Sequence, residues 1–333
     1  MKKKNIYIIN LEKGKRKSNN IYYKIIIILM TFFFFINISK NNKKFNKYKN
    51  NSSSYISCFI TMVKLENKYV REVVEHYKKL GLDKFYIADD NTLNSEKVSN
   101  VLQDYINEGY IEVFDISDQH FTQKYFFEFS FDKYKSKCKW MLYFDIDEYL
   151  EFVDKKLTIN EYLTQDRFNK CEVIKINWVM YINEDLLYYD NRSLKERFPT
   201  PTYVKENVRT VKSIVRNDSK RNPWIRNSAP HEPARGLYSC NSIGIYSPYN
   251  YGALYPPILS YCYLKHYCYK SVEEYAIKLN RGRPNGTKYN INKLIKLYFK
   301  RNHYSKEKLK IFEKMLNKTF KWLHKEKFNK KNN

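Results

Sequence analysis

Two aspartates, Asp145 and Asp147, stand two positions apart at the end of an apolar run and are followed by Glu148. The run from Lys139 to Leu150 has the pattern of a buried strand. Alternate side chains of a strand point the same way, so both aspartates can face one side. Such paired carboxylates need a compensating cation, because burial and mutual repulsion oppose their ionisation. Mn2+ and Mg2+ suit oxygen ligands and keep positions for phosphate oxygens, so the cluster predicts metal-assisted chemistry on a phosphate-bearing substrate.

The alternative for this cluster is structural, since aspartate also ends strands as a turn or helix-capping residue. Residues 56–150 alternate in the order β-α-β-α-β-α-β, which predicts a parallel sheet covered by helices on both faces. Ligands bind such sheets at the carboxyl ends of the strands. Polar residues follow the first two predicted strands at 64–67 and 89–91. These segments and the acidic cluster are therefore expected to share one edge of the sheet, which favours a site.

The other predicted elements follow from hydrophobic periodicity and helix-capping patterns. Before the cluster we predict strands at 56–63, 84–88 and 110–114 and helices at about 67–80, 95–107 and 120–136. After it we predict strands at 173–181, 211–215 and 258–267, and helices opened by capping boxes at 158–161 and 271–274. Residues 217–260 are irregular, as lids and substrate loops are. Only 8 glycines occur, with no Walker-type or Rossmann-type phosphate loop among them.

The formal net charge of +26 is concentrated at the two ends of the chain. Residues 1–50 carry 13 Lys and Arg against 1 acidic residue, and residues 288–333 carry 15 against 3. The two tails together hold 24 of the 26 net charges, so the middle of the chain is almost neutral. A groove for nucleic-acid phosphates would have to be built from the tails alone. We therefore predict no nucleic-acid partner.

The N-terminal part predicts a membrane anchor. Residues 1–20 are basic, residues 21–38 are apolar and close to membrane-spanning length, and residues 39–55 form a polar linker. The excess of basic residues before the apolar segment predicts a cytoplasmic tail, a single-pass type II anchor and a domain in a Golgi-like lumen. All 6 cysteines follow the anchor, which suits an oxidising compartment. The alternative is a domain on the cytoplasmic face of a bacterial membrane, and the basic amphipathic helices predicted in 288–333 either pack on the domain or lie on the membrane.

Several segments of the folded region resemble those of glycosyltransferase family 92. The resemblance is carried by 61–72, 75–82, 85–91 and 140–150, and further on by 196–198, 212–216, 266–267, 270–271 and 281–282 in the family's order. It covers about 56–283, most of a predicted domain at 56–287. The family consists of metal-dependent sugar transferases of the GT-A fold, a mostly parallel sheet flanked by helices. The resemblance thus implies an α/β fold of GT-A type with an N-terminal transmembrane anchor and C-terminal helices.

The family resemblance also implies a reaction and residue roles. A hexosyl group would move from a UDP- or GDP-sugar to a glycan acceptor with inversion, and Mn2+ or Mg2+ held by Asp145 and Asp147 would stabilise the leaving diphosphate. The residues that would contact the donor are Thr61, Lys64 and Glu66 near the base, Asp89 and Asp90 near the base or ribose, and Gln123 on the donor side.

An inverting enzyme needs a general base that deprotonates the acceptor hydroxyl. The candidates are Glu232 first, and then Glu184 and Asp185. His231 or His266 could complete the metal shell, since imidazole is a ligand for Mn2+, although a lone histidine is more often structural. The acceptor sugar could stack on Trp178 or Trp224, with a core role as the alternative for Trp178.

Two other classes of function remain open at this point. A phosphoryl-transfer enzyme or nuclease could use Asp145, Asp147 and Glu148, although the near-neutral middle of the chain argues against it. The chain also departs from the family at Leu65, Val73 and Phe126–Phe129. These departures keep open a membrane-tethered glycan-binding relative that lacks turnover.

Overall fold

The computed structural model describes most of the chain beyond residue 53: residues 54–91, 95–117, 119, 122–182, 186–202, 208–224, 231–233, 236–248, 252–282, 310–311 and 313–315. All of them belong to one compact unit, Ser53–Asn333. The predicted cytoplasmic tail, transmembrane anchor and nearly all of the linker lie outside the described residues. Among the helices that the structure describes, none has the length and apolar character needed to cross a membrane.

The first half of the domain alternates strands and helices as predicted. Its elements are β1 (Tyr55–Val63), α1 (Asn67–Lys79), β2 (Lys84–Asp89), α2 (Val98–Val101), α3 (Gln103–Asn107), β3 (Ile111–Asp115), α4 (Gln123–Tyr134) and β4 (Cys138–Tyr143). The single helix predicted at 95–107 is instead two short helices. Leu102 separates them, because its backbone leaves helical geometry where its side chain is buried in the core.

The second half contains shorter elements joined by longer connections. They are β5 (Glu148–Phe152), α5 (Ile159–Leu163), β6 (Val173–Ile182), α6 (Leu194–Arg197), β7 (Thr200–Thr202), β8 (Val211–Arg216), β9 (Ser239–Asn241), β10 (Cys262–His266) and α7 (Val272–Arg281). Both predicted capping boxes are present, at Thr158 before α5 and at Ser271 before α7. In the described part of 217–248, β9 is the single named strand.

The strands form one ten-stranded sheet with the order β3-β2-β1-β4-β8-β6-β10-β5, and β7 and β9 pair with β6. The first four strands are parallel, as predicted. Beyond β4 the sheet is mixed, since β8 is antiparallel to both β4 and β6, and β10 is parallel to β6 but antiparallel to β5. The protein therefore has a mixed α/β fold whose parallel part is its first half.

The strand predicted from Lys139 to Leu150 is in fact two strands, and this prediction was wrong. β4 ends at Tyr143, and β5 begins at Glu148 and pairs with β10 at the other end of the sheet. A turn joins them: the Glu148 N–H donates to the Asp145 carbonyl, and a Glu148 carboxylate oxygen accepts from the Asp145 N–H, both at 3.0 Å. The aspartates thus lie in a turn rather than along an extended strand.

Two apolar clusters cover the two faces of the sheet. Alternate residues of β1 divide between them, with Phe59 and Val63 in one and Cys58 and Ile60 in the other. The first cluster includes the apolar face predicted for α1, and the second includes the aromatic residues of α4. The core fixes the strand ends from both sides, and with them the edge where the acidic turn lies.

Candidate functional site

The carboxyl ends of β1, β2 and β4 meet at one edge of the sheet, as the sequence predicted. The three strands are parallel neighbours. Lys64, just after β1, pairs with Asp90, just after β2, with Nζ 2.6 Å from Oδ2. Asp145 follows β4 by two residues. β8 runs antiparallel to β4, so its first residues, which include Lys212, also lie at this edge.

Asp145 is held by one residue on each side of the acidic turn. The Gln123 amide, in the first residue of α4, donates to Asp145 Oδ1 over 2.9 Å. The buried ammonium of Lys212 lies 2.6 Å from Asp145 Oδ2. Burial opposes ionisation of Asp145, but the attraction of Lys212 outweighs it and lowers the pKa of the carboxyl. Asp145 is thus an ionised carboxylate of fixed orientation, and Gln123 lies directly beside it.

Asp147 is almost fully buried and faces three cationic or basic side chains. Its Oδ2 lies 3.0 Å from Lys278 Nζ and 3.5 Å from Lys270 Nζ. Its Oδ1 lies 3.5 Å from His266 Nε2. Burial by itself would raise the pKa of Asp147. The nearby Lys278 and Lys270 together have the larger opposite effect, so the pKa of this carboxyl lies well below its usual range. The net result is a carboxylate that stays charged inside the protein.

Glu148 differs from the two aspartates because its surroundings raise the pKa of its carboxyl rather than lower it. Burial raises its pKa well above the usual range, and the charges of Asp145 and Asp147 add to this in spite of Lys212. Its Oε2 lies 3.4 Å from Lys212 Nζ and accepts from the Asp145 N–H. Its Oε1 has no hydrogen-bond partner within the described part of the chain. Glu148 therefore shapes the turn through its contacts with Asp145 and Lys212.

Two histidines, His231 and His266, pack on Trp178 close to the acidic turn. The Trp178 ring centroid lies 4.9 Å from that of His231 and 4.2 Å from that of His266. His231 Nδ1 is 3.0 Å from the Val211 carbonyl oxygen. Burial lowers the pKa of His231 to about 4, and it also lowers the pKa of His266, where Asp147 partly offsets it. Both imidazoles are therefore neutral near pH 7, the form that binds metals.

The protein side chains around the acidic turn fit a metal ion that takes most of its ligands from a bound substrate. Across the described ranges, no three His, Cys, Asp or Glu side chains form a metal-binding group. Asp147 Oδ1 and His266 Nε2, 3.5 Å apart, are the pair with suitable chemistry. Mg2+-type sites commonly use one or two carboxylates together with substrate phosphates and water. The residues present thus fit such an ion, and Asp147 and His266 are the side chains that would hold it.

The residues predicted to contact a nucleoside lie in different environments. Glu66 precedes α1 and lies 2.7 Å from Arg281, and the Arg281 guanidinium also donates to the Lys64 carbonyl. Asp89 accepts from the N–H groups of Asn91 and Val98, so its carboxylate shapes the turn after β2. Thr61 is a buried residue of β1 whose hydroxyl has no hydrogen-bond partner among the described residues.

Leu65 adopts a left-handed backbone conformation, with φ +52°. Its N–H donates to the side chain of Asn91, which links the ends of β1 and β2. Asparagine adopts this conformation much more readily than leucine does. The leucine at this position therefore stands in a backbone conformation that favours asparagine.

The candidate bases are only partly within the described residues. Glu232 is half-buried, follows His231 and lies alongside Gly252, where an added Cβ would be 3.4 Å from Glu232 Cγ. Glu184 and Asp185 lie outside the described residues. Trp224 is buried and packs on Phe127 and Tyr143, so it belongs to the core rather than to an acceptor site.

A cavity of about 840 Å3 lies beside the acidic turn. It is bounded by the residues that follow β1, by α7 and by described residues near the C-terminus, among them Leu65, Glu66, Lys270, Lys278, Arg281 and Lys314. Lys270 and Lys278 are also the partners of Asp147, so this cavity adjoins the acidic turn. Its volume lies in the range of small-molecule and cofactor sites.

The sequence profile of glycosyltransferase family 92 matches residues 53–241, more than half of the chain. The chain belongs to glycosyltransferase family 92. It is a glycosyltransferase, and membership of family 92 implies a sugar donor and a glycan acceptor. No curated protein matches the chain.

The chain is also similar in structure to S. aureus TarS. A crystal structure of S. aureus TarS 1-349 has 13% identity and a TM-score of 0.34 over 75% of this chain and 72% of that chain. A crystal structure of S. aureus TarS has 13% identity and a TM-score of 0.35 over 75% of this chain and 44% of that chain.

Sequence reasoning did not assign the three lysines of this family 92 site. Lys212 and Lys270 entered only as matches to the family, and Lys278 was missed. Lys212 did carry a signal, because a lysine inside the apolar strand 211–215 needs an acidic partner when it is buried. Lys278 carried none, since a lysine on an amphipathic helix is usually solvated.

Proposed function

We propose that this family 92 chain is a metal-dependent hexosyltransferase of GT-A type that uses a UDP- or GDP-sugar donor and inverts the anomeric configuration. The observation that carries the proposal is the acidic turn of Asp145 and Asp147 at the carboxyl edge of the parallel strands, beside a cavity of about 840 Å3. Ligands bind α/β sheets at that edge. A diphosphate with a divalent ion supplies the charges that such a turn and its surrounding lysines require.

The proposed metal is Mn2+ or Mg2+, with Asp147 and His266 as its protein ligands. When bound, it would stabilise the negative charge that develops on the leaving nucleoside diphosphate. Lys212 and Gln123 hold Asp145 in a single orientation, in which it can accept from a donor hydroxyl or lie close to the ion. These contacts support the proposal because fixed polar groups stabilise a transition state without reorganising.

The proposed general base is Glu232, which would take the proton of the acceptor hydroxyl. It lies next to His231 in sequence, and His231 packs on Trp178 beside the acidic turn. The half-buried Trp178, which packs on His231 and His266 close to the acidic turn, is the proposed surface for the acceptor sugar. A sugar that lies on this ring would have its hydroxyl close to the acidic turn.

The test is hydrolysis and transfer of nucleotide-sugars by the full chain in detergent. We expect turnover of at least one UDP- or GDP-sugar in the presence of Mn2+ or Mg2+, and its loss on addition of EDTA. Donor binding without turnover in the presence of glycan acceptors would favour the glycan-binding relative. Absence of both binding and turnover over a full donor panel would overturn the proposed activity.

We also propose that the domain resides in an oxidising lumen behind a type II anchor. Two disulfides join distant parts of the domain, Cys58–Cys138 and Cys171–Cys240. Such bonds persist in secretory compartments and are rare in the cytosol. The proposal is supported by these bonds and by the charge distribution around residues 21–38, and it includes a membrane as a partner of the chain.

Removal of the disulfide between β1 and the start of β4 tests the compartment through stability. The double variant Cys58→Ala/Cys138→Ala is expected to lose about 2–5 kcal/mol of unfolding free energy, because the bond closes a long loop. Cys268→Ala, at a cysteine outside both disulfides, is the control and is expected to lose less than about 1 kcal/mol. Equal stability of wild type and double variant in urea, or reduced thiols in the lumenal protein, would contradict the proposal.

A further inference from the structure

One face of α7 and the residue before it place three cations at the acidic turn. Lys270 immediately precedes the N-cap Ser271, and Lys278 and Arg281 follow on α7. All three side chains line the cavity of about 840 Å3. Lys270 is almost fully buried, and Arg281 is nearly so. Buried cations at this density need anionic partners on more than one side.

These cations connect the ends of two neighbouring strands. Lys278 reaches Asp147 beyond β4, with Nζ 3.0 Å from Oδ2. Arg281 reaches Glu66 beyond β1 over 2.7 Å. Because β1 and β4 are adjacent parallel strands, α7 lies across the strand edge where a ligand of this sheet would bind.

The helix also carries two acidic residues, Glu273 and Glu274, and both have other hydrogen-bond partners; Glu273 accepts from the Tyr189 N–H. Glu274 accepts two hydrogen bonds from Arg197 at 2.9 and 2.8 Å, and one from the Tyr69 hydroxyl. Its charge is therefore compensated by Arg197. Asp147 and Glu66 are the acidic side chains that these three cations contact, at distances of 2.7–3.5 Å.

We propose that Lys270, Lys278 and Arg281 form a clamp for the diphosphate of the donor, with the nucleoside in the adjoining cavity. This inference rests on the proposed function. On binding, phosphate oxygens replace Asp147 and Glu66 as partners of the clamp. Ammonium and guanidinium groups are strong phosphate donors, and Arg281 can bind two oxygens at once.

The test compares a nucleoside diphosphate with its nucleoside, using UDP with uridine and GDP with guanosine as probes. Calorimetry on the full chain, with and without Mn2+, gives both dissociation constants for wild type, Lys278→Gln and Arg281→Gln. We expect each variant to weaken diphosphate binding by about tenfold or more, since a charge-assisted hydrogen bond is lost. Nucleoside binding should change by less than about twofold, because the cavity itself is intact.

Lys155→Gln is the matched control, because it removes the same charge from a lysine that is 69% exposed and does not line the cavity. Lys278→Arg should retain most of the diphosphate affinity. Unchanged diphosphate affinity in both Gln variants, an equal loss in Lys155→Gln, or a parallel loss of nucleoside affinity would each overturn the clamp. A wild-type chain that binds neither UDP nor GDP would overturn the proposed function as well, so the two failures are distinguishable.

Discussion

Replacement of Asp147 by asparagine is expected to lower kcat for sugar transfer by about a thousandfold. The two side chains have nearly the same volume, so the main change is loss of one buried negative charge. That charge faces Lys278 and Lys270 through one oxygen and His266 through the other. Without it, the proposed metal loses a ligand and the lysines repel the ion. Steady-state transfer with saturating donor and Mn2+ measures the effect.

Asp154→Asn is the control for this prediction. Asp154 is exposed in the turn after β5, where its carboxylate accepts from the Lys156 N–H, and the variant should retain wild-type kcat. Thermal unfolding of both variants separates loss of chemistry from loss of fold. Retention of kcat within about threefold in Asp147→Asn would remove Asp147 from the reaction.

Replacement of Arg197 by methionine is expected to reduce the free energy of unfolding by about 3–5 kcal/mol. Arg197 is buried, and its guanidinium donates twice to the equally buried Glu274. The Tyr69 hydroxyl binds the same carboxylate, so the group joins α1, α6 and α7. Methionine fills similar space but leaves Glu274 charged and without its cation. Urea unfolding of the detergent-solubilised chain measures the loss.

Arg192→Met is the matched control, because Arg192 pairs with Asp190 over 2.7 Å at the surface and is 59% exposed. Exposed ion pairs contribute about 0–1 kcal/mol, so this variant should resemble wild type. The double variant Arg197→Met/Glu274→Met should recover much of the loss, since both buried charges are then absent. Equal stability of the two single variants would refute the assignment of Arg197 and Glu274 as a stabilising pair.

The first half of the fold followed from sequence because its signals are local. α1 begins at Asn67 and ends at Lys79, close to the predicted 67–80, since its apolar residues recur at helical spacing. β2 and β3 are short apolar runs between turn residues and lie within a residue or two of their predicted bounds. The error at 139–150 is different in kind, because an apolar run does not reveal that its two halves pair with different strands.

Of the site, the sequence determined which residue types stand at the strand ends, namely the acidic turn and the polar segments after β1 and β2. It could do so because a parallel alternation of strands and helices brings those ends to one edge whatever the details of packing. Only the tertiary structure decided that Lys212, Lys270 and Lys278 converge on Asp145 and Asp147. These contacts join residues 67–131 positions apart. No local pattern encodes them, since they depend on the antiparallel direction of β8 and on the placement of α7 across the sheet edge.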